Sequence, residues 1–244
     1  MHNNTSLTAA STSHMLTPWR GMDRGVTDQT GRKRLQQFSS GSFFDADRMG
    51  YGALRVLDDE WLAPGAMLDS ERRANMEILT WVLDGQVDLL VGDATDSLGR
   101  NGFACVSAGS GIDCAMRNSG ALPAHVVQLW LQPTVVNAVP RSKVRRYIDA
   151  ELRGGFRRVA ASADAGADIE LRADVKVAFA RAEAGEQLCY PLPARRRAWL
   201  QVLRGNVNCG DFEACAGDGI AVGDASIIEL NVRDDAEIML VELT

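Results

Sequence analysis

The sequence predicts an all-β fold in which one chain builds two jelly-roll barrels. Three observations predict it. Short apolar runs are separated by Gly and Asp turns, the spacing of jelly-roll strands. One unit is written twice: Val-Leu-x-Gly-x-Val occurs at 82–87 and again at 202–207, each followed by Ala-Gly-x-Gly-Ile at 108–112 and 216–220. That repeat distance is about half the chain, far beyond the roughly 20–50 residues of solenoid repeats, so it marks a duplicated domain. Finally, 244 residues with 46% hydrophobic content suffice for two cores of about 100–120 residues each.

The elements follow in order. Residues 1–17, MHNNTSLTAASTSHMLT, read as a polar, disordered tail without the basic start and apolar centre of a secretion signal. Residues 18–140 form the first barrel. Within it Ile78, Thr80 and Val82 alternate with Leu79, Trp81 and Leu83, a strand apolar on both faces, as a barrel wall requires. Gly85 and Gly205 supply the turns that end these strands. In 141–155, RSKVRRYIDAELRGG, residues Val144, Tyr147, Ile148 and Leu152 fall at helical spacing before Gly154; this predicts a short amphipathic linker helix with a solvated basic face. Residues 161–168 read as a loop leading into the second barrel, which spans 156–244. Trp61, Trp81, Trp130 and Trp199 are expected in the core or between the barrels.

Composition bounds function. A net charge of −6 argues against nucleic acid and anionic membranes as partners, since both attract a basic face. No apolar run reaches the roughly 20 residues of a membrane helix. Five cysteines at 105, 114, 189, 209 and 215, odd in number and without a CxxC, predict a cytoplasmic protein with mostly buried, reduced thiols. A Cys209–Cys215 disulfide is not expected, because in a simple hairpin residue 209 faces 212. Only three histidines occur, His2, His14 and His125.

Several stretches resemble the pirin family. GALRVLDDEWLAPG at 52–65 is similar to its "GxLRVxNDDxVxPG", MEILTWVLDG at 76–85 to "MEIVTYVLEG", DSLGRNG at 96–102 to "DSMGN", VSAGSGI at 106–112 to "MSAGTGI", and VVQLWLQP at 126–133 to "LQIWIxP". The C-terminal half resembles the second cupin domain of bacterial pirin-like proteins. The resemblance implies an RmlC-like bicupin. It also implies Fe(II) held by three His and one Glu, an activity like that of quercetin 2,3-dioxygenase in some members, and regulatory binding to a protein partner in others.

The family's ligands come from an HxH pair before "MEI" and an HxE pair after "SAGxGI". In register these fall on Glu71 and Arg73, and on Cys114 and Met116. A guanidinium has no lone pair to donate and stays protonated near neutral pH. A thioether is a poor ligand for oxygen-activating iron. The expectation is therefore a pirin-like bicupin without its metal cofactor, not an active metal-dependent dioxygenase. It would take a small polar or anionic molecule at Glu71, Arg73, Cys114 and Met116, with Glu77 and Asp113 as neighbours, or a protein partner on its surface; Glu77 also reads as a hydrogen-bonding strand residue without a role in the site. The alternatives are an inert barrel interior, the dioxygenase that the family implies, and a metal-independent enzyme using Glu71, Arg73 or Cys114, for which no positive motif exists.

Overall fold

Residues 16–244 are described by a computed structural model, and their regular structure is β apart from three short 3-10 turns. The chain order is β1 (Leu16–Trp19), β2 (Gly25–Gln29), β3 (Arg32–Gln36), β4 (Leu54–Leu62), β5 (Met67–Arg73), β6 (Glu77–Asp84), β7 (Gln86–Val91), β8 (Ala94–Gly99), β9 (Gly102–Ser107), β10 (Ile112–Asn118) and β11 (Ala124–Leu131). It continues with β12 (Arg141–Arg146), β13 (Arg157–Ser162), β14 (Ile169–Leu171), β15 (Val175–Ala182), β16 (Gln187–Pro191), β17 (Arg197–Cys209), β18 (Phe212–Cys215), β19 (Gly219–Val222) and β20 (Ile227–Leu243).

The first barrel packs the sheet β12-β9-β6-β11-β4-β3-β2 against the sheet β5-β10-β7-β8. The second is built on the order β1-β19-β17-β20-β15-β13-β14, with β16 on β20 and β18 on β17. The duplicated motif occupies matching places. Gly85 and Gly205 both sit at φ +76°, where a Cβ would come within 2.7 Å of Ala124 Cα and 2.2 Å of the Asp235 carbonyl oxygen. Positive φ and close backbone approach together require glycine at both.

The two-sided strands explain how the barrels join. From β6, Ile78 and Val82 enter the first barrel's interior, while Leu79, Trp81 and Leu83 enter a core shared by both barrels. From β17, Leu200 and Val202 fill the second barrel, and Trp199 and Leu203 point into the shared core. There Trp81 stacks on Phe179 at 4.2 Å, and Trp199 meets Phe38 at 4.9 Å and Trp19 at 5.3 Å. Charged groups extend this seam. Arg204 pairs with Asp84, the variable position of one repeat bonding that of the other. Glu237 takes Arg100 and Arg181, each at 2.8 Å.

The linker helix is corrected. Residues 141–146 form strand β12 along β9, from Arg141 opposite Ser107 to Arg146 opposite Gly102, and only Asp149–Leu152 makes a short 3-10 turn. Strand β9 offers an open edge of backbone donors and acceptors, and pairing with it outweighs a helix too short to be stable alone. The apolar residues still find burial, with Val144 against the first barrel and Tyr147 and Leu152 in the shared core. Ile148 is exposed. The segment's cations are engaged within the chain, Arg145 on Glu151, Arg141 on Glu170 and Lys143 on the Asp168 carbonyl. The end of the expected tail at 1–17 is strand. Leu16 and Thr17 belong to β1, which pairs with β19 of the second barrel; the rest of the expected tail lies outside the described residues. The expected loop at 161–168 includes the end of β13 and a 3-10 turn at Ala163–Ala165. No helix among the described residues is long and apolar enough to cross a membrane.

Candidate functional site in the first barrel

Strand alternation decides which side chains enter the first barrel. Val56 and Glu60 from β4, Ile78 from β6, Val106 from β9, and Gln128 and Trp130 from β11 line a cavity of about 420 Å³. Sheet β5-β10-β7-β8 adds Leu68, Glu71, Arg73, Leu89, Cys114 and Met116. A volume of this size accommodates a small organic ligand.

The four residues expected at the site do come together. Glu71 on β5 lies directly opposite Cys114 on β10, and Arg73 opposite Ile112. A register shift between Cys114 and Met116 follows, and Met116 is buried against the cavity wall. Arg73 pairs with Glu71, and its guanidinium carbon lies 4.5 Å from the centre of the Trp130 ring. This cation–π contact over the indole helps hold the guanidinium at the cavity. Cys114 is half-buried, which pushes its thiol up, while Arg73 beside it pulls the other way.

The two expected neighbours do not join them. Glu77 is buried on the opposite face of β6, toward the second barrel. Its carboxylate accepts hydrogen bonds from Ser107 Oγ at 2.7 Å, from Cys105 Sγ at 3.8 Å and from the Arg172 backbone N–H at 3.3 Å. Asp113 is exposed, because it alternates with Cys114 and therefore points away from the barrel. The thiols are also less uniformly buried than expected: Cys105 and Cys209 are buried, but Cys189 and Cys215 are exposed. All five are free, and Cys209 is paired across its hairpin with Phe212. Trp81 and Trp199 are core residues, whereas Trp130 belongs to the cavity.

Sequence reasoning missed a second polar group on the β3–β4 wall. Arg34 Nε donates to Asp58 at 2.8 Å, and Arg32 Nε donates to Glu60 at 3.0 Å. Arg34 also reaches Ser40 Oγ at 3.0 Å. Both carboxylates are about 1% exposed. Burial pushes the Asp58 carboxyl up to about 7, with Arg34 opposing and Glu60 adding to the rise. The signal was in the sequence: Arg32 and Arg34 alternate on one strand, Asp58 and Glu60 on the next, with opposite sign on the same face.

The mouth of this cavity does not fit an iron centre. Its donors are Glu71, already bonded to a guanidinium, a half-buried thiol and a thioether. Among the described residues no group of three or more His, Cys, Asp or Glu is placed to hold a metal ion. His125 is engaged elsewhere. Its Nε2 lies 2.5 Å from Asp59, and its ring stacks on Trp61 at 4.2 Å, away from the cavity.

Residues 20–131 match the pirin family model, and residues 159–243 match the quercetinase C-terminal cupin domain. Quercetin 2,3-dioxygenase of Escherichia coli K12 is 31% identical over 229 residues, covering 91% of this chain and 95% of that protein. The chain belongs to the pirin family. A pirin-like protein of Caulobacter vibrioides is 30% identical over 225 residues, covering 89% of this pirin and 95% of the relative. In three dimensions this pirin is similar to YhhW from Escherichia coli, with a TM-score of 0.88 at 27% identity, covering 94% of this chain and 98% of that one. The same bacterial pirin in complex with nickel(II) also gives a TM-score of 0.88, at 28% identity and with 94% and 99% covered.

Proposed function

We propose that this pirin has lost the family's metal site and works as a metal-independent binding protein. It takes a small polar or anionic molecule in the first-barrel cavity, in a cytoplasmic, reducing setting that suits its free thiols. The observation that carries this reading is Arg73. A guanidinium stacked on Trp130 and paired with Glu71 stands at the mouth of a ligand-sized cavity. A fixed positive charge there repels a divalent cation and attracts an anion.

The competing reading is a quercetin 2,3-dioxygenase, favoured by the relative of that name at 31% identity. Elemental analysis separates the two. Protein expressed without a metal-affinity tag in medium supplemented with iron, nickel and manganese is expected to hold far less than one metal per chain and to leave quercetin intact under oxygen. Stoichiometric metal with ring-opening activity would sink the binding reading and restore the enzyme.

A further inference from the structure

We infer that the cavity's ligand is a monocarboxylate on a flat, apolar body, and that Glu71 is the internal carboxylate which such a ligand displaces from Arg73. This rests on the binding reading above and names the class of ligand.

The two sets of ion pairs in the cavity differ in how easily they open. Asp58 and Glu60 are about 1% exposed and held by Arg34 and Arg32. Breaking either pair would leave a buried charge without its partner, which is costly. Both guanidinium groups of that wall are already hydrogen-bonded to buried carboxyl groups, so it competes poorly with Arg73 for an incoming anion. The pair at the mouth is the reverse. The Glu71 side chain is 57% exposed and Arg73 32%, and an ion pair so open to water contributes little. Glu71 can leave into solvent with little loss, whereas Arg73 is kept in place by Trp130.

An incoming carboxylate would meet the guanidinium in a drier setting than Glu71 does, and charge-assisted hydrogen bonds are stronger there. One available guanidinium matches a monoanion better than a dianion. One wall of the cavity is apolar, formed by Ile78, Leu89, Val106 and Met116, and faces the ion-paired Arg32, Arg34 and Glu60 across it; that apolar wall suits an apolar body. The indole of Trp130 at the same mouth favours a flat ring.

The test is isothermal titration calorimetry of the full chain at pH 7 with 2-naphthoate and its uncharged counterpart, 2-naphthamide. Naphthoate is expected to bind about tenfold more tightly, the difference made by one hydrogen-bonded charge. Arg73→Gln should erase that preference. Glu71→Gln should strengthen naphthoate binding several-fold while leaving naphthamide unchanged, because it removes the internal competitor. Equal affinity for the two probes, or weaker naphthoate binding in Glu71→Gln, would overturn the inference. If the probes bind equally and the cavity-filling Leu68→Trp abolishes both, the carboxylate assignment fails and the cavity reading survives. Binding of neither probe would overturn the inference, while the metal analysis decides the parent reading independently.

Discussion

The two barrels share a strand plan and a repeated turn, yet their interiors have opposite characters. The second is filled by apolar side chains, among them Leu200, Val202, Val207, Leu230 and Ile238. The first holds apolar residues on one side and a cavity lined by Arg32, Arg34, Glu60, Glu71 and Arg73 on the other. The difference shows where a duplicated fold can diverge. The seam between the copies is under joint constraint, because Trp81 and Trp199 pack into one shared core. The barrel interiors face only their own sheets, so one can serve as a packed support while the other keeps a pocket.

That comparison can be broken most directly by truncating matched apolar residues. Leu200→Ala in the packed barrel should cost about 3–4 kcal/mol, since it leaves a void with no room to relax. Leu89→Ala, beside an existing cavity, should cost about half as much, because fewer contacts are lost. Urea denaturation of both variants would measure the gap, and equal losses would mean that the barrels do not differ in packing.

Next in size is the seam. Glu237→Ala removes the carboxylate held by Arg100 and Arg181. Arg181 is itself buried, so the variant should lose about 3 kcal/mol. The same denaturation series should show the barrels beginning to unfold separately, and a single transition of wild-type stability would count against the seam as a cooperative joint.

A smaller effect concerns the charged wall. Asp58 is pushed from an ordinary value of 3.8 to about 7 by burial. Its protonated form is favoured in the fold, so its stabilising contribution is complete below about pH 4 and is lost as pH rises through 7. Asp58→Asn should flatten the melting temperature between pH 4 and 7 and leave the variant about 1–2 kcal/mol more stable relative to wild type at pH 8 than at pH 4. Parallel pH profiles for the two proteins would place the strain elsewhere.

The smallest stability effect should come from the mouth. Glu71→Gln is expected to shift stability by less than about 0.5 kcal/mol, measurable by thermal melting, while strengthening naphthoate binding as proposed above. A large loss would show that the Glu71–Arg73 pair is structural.

Much of this organisation is legible in the sequence because it follows from local rules. Val-Leu-x-Gly-x-Val at two places predicts a strand, a positive-φ turn and another strand; the first copy breaks at Gly85 between β6 and β7, whereas the second runs on through Gly205 within β17, where the positive φ makes a register shift instead of a turn. The positions Glu71, Arg73, Cys114 and Met116 are grouped by the resemblance to the pirin family, whose ligand pairs fall on them in register, and the strands bring them to one cavity. Two neighbours were misplaced. Strand β6 is buried on both faces and carries no hydrophobic signal of which face lines the cavity, so Glu77 could be assigned there although it points away; Asp113 is next to Cys114 in sequence, and alternation sends it to the outer face.

By itself, then, the sequence determined the all-β class, the duplication, the turn glycines and the unusual residues at the cavity mouth. The class and the glycines rest on period-2 alternation and backbone sterics, the duplication on a repeated motif, and the residues at the mouth on the resemblance to the pirin family. Only the tertiary structure decided that 141–146 is a strand rather than a helix, that Arg32 and Arg34 neutralise Asp58 and Glu60, and that Trp130 holds Arg73. Each of those depends on a partner far along the chain, and a side chain's partner across a sheet is set by register and closure of the barrel, which no local pattern encodes.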